Sequence, residues 1–327
     1  MLLERAPAPL PGALERMGCL QAQYAPSMYI GLWSRVEGLE RGAVTRALEE
    51  KKVVQGTLMR STIHLVSRAD YWPLAIAVRR ARREHWARTR KDHSAKAVAA
   101  AARRLQSRFS DGPLSRAQLS EQLDGDPVVV NAVGLWLDLV RVPPAGTWER
   151  RRADLYAAAE EWLGPPGEVS PDEALDHLVR RYLGGFGPAA PADISSWAGL
   201  APKRIAPALE RLRLRRFRGE DGDELFDLPR APLPDPETPA PPRFLPTWDS
   251  TLLVHARGTG VLPEEYRPLV FNARTPQSVS TFLVDGAVAG TWRYEKGRIE
   301  LEPFNRLDKA ARRELDEEAE RLAAFHG

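Results

Sequence analysis

"SPDEALDHLVRRYLGGFG", residues 170–187, opens the segment of the chain that decides the fold. Ser170 stands where a helix N-cap belongs, Pro171 takes the first helical position, and Glu173 completes a capping box. Four apolar residues follow at helical spacing: Leu175, Leu178, Val179 and Tyr182. The stretch therefore predicts one amphipathic helix, which its glycines end.

The rest of this segment predicts two more helices and a hairpin. "APADISSWAGLAPKRIAPALERL" (190–212) predicts a short helix, a turn and a second helix, which is a helix-turn-helix arrangement. "LRRFRGEDGDELFDL" (214–228) predicts two short strands around a Glu-Asp-Gly turn. Three helices followed by a hairpin are the element order of a winged helix.

A similar order can be traced, less regularly, through residues 98–156. Ser115 and Gln118 form a second capping box. "NAVGLWLDLVRV" (131–142) then predicts an apolar helix, and "TWERRRADLY" (147–156) predicts a wing strand. This part of the chain is therefore expected to form a second winged helix.

The front of the chain shows the pattern a third time. "EGLERGAVTRALEEKK" (37–52) predicts a helix, and "VVQGTLMRSTIHLVS" (53–67) predicts a strand or hairpin. In a strand, side chains alternate between two faces. The alternation predicts one face with Met59, Ile63 and Leu65 and an opposite face with Arg60, Thr62 and His64.

We predict a mainly α fold with β structure, built from tandem winged-helix (helix-turn-helix) domains and a small C-terminal β-rich unit. The expected boundaries are winged helix 1 at 1–78, a basic helical segment with winged helix 2 at 79–165, winged helix 3 at 166–230, a proline-rich linker at 231–246, and the β-rich unit with a terminal helix at 247–327. Eight prolines within residues 229–246 favour an extended connector. In the last unit, hairpin turns are predicted at Asp285-Gly286 and Lys296-Gly297.

The residue composition excludes several kinds of site. A single cysteine, Cys19, allows no internal disulfide and no cysteine-rich zinc site, and the six histidines show no metal-binding spacing. No phosphate-binding loop and no nucleophile elbow occurs. We therefore expect no metal, no nucleotide and no other cofactor. Without a signal peptide or a long apolar run, a cytoplasmic protein with no membrane partner is predicted, and we expect a monomer.

Positive charge is concentrated between residues 79 and 108, although the net charge is only +3. This segment holds eleven Lys or Arg residues against Glu84 and Asp92, which favours a polyanion such as nucleic acid. A solvated helix face and a protein-interaction module are the alternatives. With DNA as the partner, the expected basic contacts are Arg79, Arg80, Arg82, Arg83, Lys203 and Arg204.

Two glutamines separated by one alanine, Gln21 and Gln23, raise a further question. By pattern alone they are amides that solvate the end of a helix. "MGCLQAQYAPSMYIGLWSR" (17–35), followed by "VVQGTLMRSTIHLVSRADYW" (53–72), closely resembles the AlkZ/YcaQ-type DNA glycosylases. "FLPTWDSTLLVHARGTGVLP" and "VDGAVAGTWRY" are similar to the C-terminal portion of that family. The resemblance covers residues 13–305.

The resemblance implies a monofunctional enzyme that removes N7-alkylated purines from double-stranded DNA or unhooks interstrand crosslinks. The family's catalytic element in one branch is Gln-x-Gln, which Gln21 and Gln23 match. Two amides can hold one water beneath C1′, and the cationic base needs no protein acid to leave. Since residues two apart diverge on a helix, the pair is expected where a helix unwinds. Five further residues are expected to contact DNA: Arg60, Thr62, His64, His255 and Arg257.

The resemblance also implies a helix ahead of Leu2, so winged helix 1 is expected to lack its opening helix. Two other functions fit the residues. A non-catalytic winged-helix DNA-binding protein, such as a regulator, would bind DNA without releasing a base. An interaction scaffold would show no salt-dependent DNA binding at all.

Overall fold

Helices and strands are mixed along the chain, which gives a mixed α/β structure. The computed structural model describes residues 1–220, 222–255, 260–272 and 277–327. The first elements are α1 (Leu10–Arg16), β1 (Leu20–Gln21), α2 (Ala25–Trp33), α3 (Arg41–Glu49), β2 (Val53–Thr57), β3 (Ile63–Ser67), α4 (Arg68–Thr89) and α5 (Ala95–Gln106). None of the helices in the described residues combines the length and the hydropathy of a membrane span.

The remaining elements follow in three groups. The second group is β4 (Leu114–Ser115), α6 (Arg116–Gln122), α7 (Pro127–Ala132), α8 (Gly134–Leu137), β5 (Leu139–Arg141), β6 (Leu155–Ala158) and α9 (Ala159–Leu163). The third is α10 (Pro171–Phe186), α11 (Pro191–Ala198), α12 (Pro202–Arg211), β7 (Arg215–Arg218) and β8 (Glu224–Asp227). The fourth is β9 (Arg243–Leu245), α13 (Arg267–Val270), β10 (Phe271–Asn272), β11 (Gln277–Ser278), β12 (Thr281–Val284), β13 (Ala287–Glu295), β14 (Arg298–Pro303) and α14 (Lys309–His326).

Both predicted capping boxes begin helices. At the start of α6, Ser115 Oγ accepts a hydrogen bond from the Gln118 backbone N–H, and Gln118 Oε1 accepts one from the Ser115 N–H. Ser170 and Glu173 form the same reciprocal pair at the start of α10. Each box satisfies backbone N–H groups that the first turn of a helix leaves without a partner. Local sequence therefore determines where these two helices begin.

One six-stranded antiparallel sheet, in the order β1-β3-β2-β5-β6-β4, joins the first two predicted units. The β2–β3 hairpin lies within residues 53–67, where the sequence predicts it. The β5–β6 hairpin adjoins it, because Gln55 pairs with Arg141 and Gly56 pairs with Val140. Residues on both sides of the expected boundary at 78 and 79 therefore share a sheet.

The segment that decides the fold forms α10, α11, α12 and the β7–β8 hairpin, in the predicted order. Its apolar side chains belong to a core that also contains residues of α4 and Val254. Trp197 of α11 and Tyr182 of α10 are almost fully buried there. The Tyr182 hydroxyl donates a hydrogen bond to the Val254 carbonyl at 2.7 Å. This unit is thus packed against both earlier and later parts of the chain.

The apolar helix predicted over residues 131–142 is helical only as far as Leu137, and the prediction is wrong beyond that residue. The chain forms α7, α8 and β5 instead, because Asp138 adopts a left-handed backbone conformation (φ 51°) that ends α8. Its carboxylate pairs with Arg79 at 2.8 Å and with Arg82 at 3.3 Å. The strand predicted over 147–156 starts only at Leu155. Tertiary ion pairs therefore override the apolar pattern here.

A four-stranded sheet, in the order β14-β13-β12-β9, forms most of the C-terminal unit. Both predicted hairpin turns are confirmed, since Asp285-Gly286 and Lys296-Gly297 all have positive φ angles. The expected linker at 231–246 is too long at its C-terminal end, because β9 belongs to this sheet and pairs with β12. Burial of Phe244 against other aromatic rings explains why proline-rich sequence ends in a strand.

A buried ion pair connects the segment directly after α2 to the start of the C-terminal unit. Arg35 donates to both carboxylate oxygens of Asp249, at 3.0 and 2.7 Å, and also to Thr251 Oγ1 and the Gly31 carbonyl. The two charged side chains are 5% and 0% exposed. Such a pair is strongly destabilising to break, because the remaining charge stays buried without a partner.

Replacing Asp249 with alanine is expected to lower the free energy of unfolding by about 3–5 kcal/mol, because the Arg35 guanidinium loses its buried counter-charge. Urea denaturation measures this change. The control is Glu300→Ala, since Glu300 pairs with Arg298 at the surface and its removal should change stability by less than about 1 kcal/mol. If both substitutions lowered the free energy of unfolding by the same small amount, the buried pair would not be important for stability.

Candidate active site

The glutamine pair lies at the end of β1, between α1 and α2. Gln21 pairs with His64 in the register of β1 and β3, and the Ala22 N–H donates to the Ile63 carbonyl at 2.7 Å. The backbone at Gln21 is therefore extended, and the expected position at an unwinding helix is corrected. Pro26 lies in the first turn of α2 rather than behind a helix that ends there.

Gln21 is nearly buried, at 7% exposure, and its amide is held by an arginine. Arg60 Nη2 donates to Gln21 Oε1 at 3.0 Å, while Arg60 Nη1 donates to the Trp197 carbonyl in α11. Burial lowers the pKa of Arg60, because the charged form is desolvated. Arg60 was expected to contact the DNA backbone. Its guanidinium lies between α11 and Gln21, while the residue as a whole is exposed, so the DNA contact stays a prediction.

Gln23 is exposed and its amide is held by the neighbouring strand. The Ile63 N–H donates to Gln23 Oε1 at 2.7 Å, so the side chain continues the β1–β3 ladder where the backbone leaves it. A guanidinium and a peptide N–H can only donate, which fixes both glutamine oxygens toward the protein. Within the described residues, neither Nε2 group has a hydrogen-bond acceptor. Both amides are therefore anchored by oxygen and keep their N–H groups free.

The turn that carries these two anchors has an unusual backbone. Arg60 and Ser61 have φ angles of 51° and 61°, which side chains other than glycine rarely adopt. Thr62 Oγ1 donates to the Met59 carbonyl at 3.0 Å and stabilises the turn from within. Thr62 was expected to contact DNA, and its hydroxyl is used by this local hydrogen bond instead.

The face of β3 that was predicted to be exposed is buried, because helices pack against this strand. His64 was predicted to share an exposed face, but it is only 1% exposed, and its Nδ1 lies 3.0 Å from the Thr62 carbonyl oxygen. Burial, followed by the charge of Arg60, lowers the pKa of His64 to about 3. The prediction that His64 contacts DNA is therefore corrected, because its side chain is buried and helices α1 and α4 pack against β3.

The arginines predicted on α4 have different environments. The DNA contact predicted for Arg82 is corrected, because Arg82 is 5% exposed and donates to the Thr57 carbonyl and to Asp138. Arg79 pairs with Asp138, and Arg83 donates to two backbone carbonyls in α8. Arg80 is 80% exposed, and among the described residues Glu84 is its one ion-pair partner. Among these four, Arg80 is therefore the side chain most available to a phosphate.

The remaining predicted contacts lie in the third and fourth groups of elements. Lys203 is exposed at the start of α12, and Arg204 binds Glu84 at 2.7 Å. His255 Nδ1 lies 3.6 Å from an Asp193 carboxylate oxygen. Arg257 lies outside the described residues. The structure thus brings Arg60, but not these residues, into hydrogen-bond contact with the glutamine pair.

Titratable groups near β1 are neutral or paired. Burial raises the pKa of the Cys19 thiol, so it stays protonated. Asp70 is 2% exposed and accepts hydrogen bonds from His177 and Arg181 at 2.8 and 3.0 Å. In the part of the chain that is described, no three histidine, cysteine or acidic residues come together as metal ligands. Near β1, neither the Cys19 thiol nor the Asp70 carboxylate is therefore a free base, and the two amides are left to orient small polar groups.

Two residues beside the pair were missed by the sequence reasoning. Tyr24 directly follows Gln23, its ring is 45% exposed, and its hydroxyl accepts a hydrogen bond from Arg151 Nη1 at 2.9 Å. No sequence pattern connects positions 24 and 151. An aromatic residue directly after the glutamine pair was the one signal available.

The family of the chain follows from comparison with known proteins. A family profile described as "DNA glycosylase AlkZ-like" matches residues 14–325. Among solved structures, Streptomyces sahachiroi DNA glycosylase AlkZ is similar, with a TM-score of 0.82 and 20% sequence identity, over 99% of this chain and 93% of that chain. At that identity the likeness shows a shared fold, and no curated protein matches the sequence. Because the profile covers nearly the whole chain, the chain belongs to the AlkZ-like DNA glycosylase family and is a monofunctional DNA glycosylase.

Proposed function

We propose that this enzyme hydrolyses the N-glycosidic bond of N7-alkylated purines, including crosslink adducts, in double-stranded DNA. Gln21 and Gln23 hold the attacking water. The observation that carries the proposal is the anchoring of both amides on one turn, by Arg60 Nη2 at 3.0 Å and by the Ile63 N–H at 2.7 Å. Fixed amides beside an exposed surface suit the orientation of a single small molecule.

The amide groups supply the geometry that a water needs. Each Nε2 has two protons to donate, and each Oε1 keeps a second lone pair after accepting its protein donor. A water that accepts from one amide and donates to the other is fixed in direction toward C1′. When the C1′–N9 bond breaks, its electron pair leaves with the base, the water oxygen bonds to C1′, and the extra proton passes to solvent.

The states of two titratable groups, His64 and Asp70, determine which substrates can react. An N7-alkylated purine carries a positive charge and leaves as a neutral base, whereas an ordinary purine needs a proton from a general acid. His64 is neutral because burial lowers its pKa to about 3, and Asp70 is already paired with His177 and Arg181. The site therefore acts on bases that are already cationic and leaves undamaged purines intact.

The three units of helices and hairpins bind the DNA duplex. We assign winged helices to residues 1–78, 79–165 and 166–230, and a C-terminal β-rich unit that begins with β9 at Arg243. The order of helices and hairpins supports this division, although the first two units share a sheet. The exposed side chains of Arg80 and Lys203 supply phosphate contacts.

Combining Gln21→Ala with Gln23→Ala is expected to lower the single-turnover rate of base release by about 100-fold or more, since the water loses both orienting groups. The rate is measured with duplex DNA that contains N7-methylguanine, by mass spectrometry of the free base. Gln23→Ala alone should also slow release, and because Gln23 is exposed this variant should keep its fold.

Gln122→Ala is the matched control, because Gln122 is an exposed amide at the end of α6. It should leave the rate unchanged, and none of the variants should weaken binding to undamaged duplex by more than about threefold. The proposal would be contradicted if the double variant released the base at the wild-type rate. It would also be contradicted if weaker DNA binding fully explained a lower rate of base release.

The rate of base release is expected to be nearly constant between about pH 5.5 and 8.5, because no side chain at the site has to change its charge. His64 has a pKa below its usual value, so it is neutral throughout this range and takes up a proton only near pH 3. A single-turnover pH profile measures this. A rise or fall of the rate with a midpoint near pH 7 would indicate that a histidine acts as an acid or base, and this would contradict the mechanism.

A further inference from the structure

The loop between β5 and β6 brings a positive charge beside the glutamine pair. Arg151, near the tip of this loop, donates to the Tyr24 hydroxyl at 2.9 Å, and its guanidinium carbon lies 5.9 Å from the centre of the Tyr24 ring. Tyr24 follows Gln23 directly in the chain. A cation and an exposed aromatic face therefore adjoin the residue that we assign to the water.

This loop is held in place by its own hydrogen bonds and by packing. The Gly146 N–H donates to the Arg152 carbonyl and the Thr147 N–H donates to the Arg150 carbonyl, both at 3.1 Å. Trp148 is 8% exposed, and its ring lies edge-on to Tyr29 of α2 at 5.6 Å. The loop is therefore fixed to α2, the helix that begins directly after the pair.

Within the described residues, Arg151 is the arginine of this loop for which no ion pair is found. Arg150 and Arg152 both pair with Asp154, at 2.9 and 3.4 Å. No carboxylate among the described residues lies within ion-pair distance of Arg151, which has only the neutral Tyr24 hydroxyl as its polar partner. An exposed guanidinium of this kind is suited to bind a phosphate.

We propose that Tyr24 and Arg151 form a DNA-contact pair at the mouth of the active site. The Tyr24 ring packs against the nucleotide whose glycosidic bond is hydrolysed, and the Arg151 guanidinium binds a neighbouring backbone phosphate. Aromatic faces stack on nucleotides without regard to base identity, which suits adducts of different shapes. The identity of the contacted nucleotide rests on the proposed function, whereas the phosphate contact does not.

The test measures equilibrium binding to a duplex with a 2′-fluoro N7-methylguanine nucleotide, whose glycosidic bond is stable, at several salt concentrations. Arg151→Gln should reduce the slope of log affinity against log salt by about one, as expected for one lost phosphate contact. Tyr24→Ala should weaken binding about tenfold, while Tyr24→Phe, which keeps the ring, should bind within about twofold of wild type.

A variant outside this loop serves as the control. Arg298→Gln removes an arginine that is 75% exposed on β14 and pairs with Glu300. It should alter neither affinity nor salt slope. Thermal melting of Tyr24→Ala should match wild type, because a 45% exposed ring contributes little to the core.

Three outcomes would contradict the proposed contact pair. The first is an unchanged salt slope for Arg151→Gln, and the second is lesion binding by Tyr24→Ala equal to that of wild type. The third is weaker binding by Tyr24→Ala together with a changed melting temperature, because the ring would then contribute to folding. Failure of the wild-type enzyme to release N7-methylguanine would instead refute the proposed function, since these binding measurements need no base release.

Discussion

The hydrogen bonds between β1 and the turn at residues 59–63 hold the proposed active site together. Arg60 and Ile63 each donate to one glutamine oxygen, at 3.0 and 2.7 Å, and both belong to the hairpin of β2 and β3. Because this hairpin lies in a sheet shared with β5 and β6, the two amides are supported by a rigid element. A site that must orient one small molecule depends on such support.

The turn holds Arg60 in a backbone conformation and an environment that are both energetically unfavourable on their own. Arg60 has a left-handed backbone, and its guanidinium is partly desolvated beside carbonyl oxygens rather than a carboxylate. Strain of this kind costs about 1–3 kcal/mol per residue and is concentrated at functional sites. The close approach of Gly199, where an added Cβ would lie 3.1 Å from the Arg60 nitrogen, shows how tightly α11 is packed on the turn. Arg60 thus links the third helical unit to the glutamine pair.

Elements with a local cause could be predicted from the sequence. The capping boxes at Ser115 and Ser170 and the hairpin turn at Asp285-Gly286 depend on neighbouring residues alone. The surroundings of His64 and the Arg35–Asp249 pair depend on strands and helices far apart in the chain. The glutamine pair was found through a resemblance, and its anchors became apparent only in the folded chain.

The most direct test is a crystal structure of the protein bound to a duplex that carries a cationic pyrrolidine nucleotide, which mimics the oxocarbenium ion. We expect one water within about 3 Å of amide atoms of both Gln21 and Gln23, on the side of C1′ opposite the departing base. Amides that bind phosphate oxygens or bases, with no water between them, would contradict the mechanism.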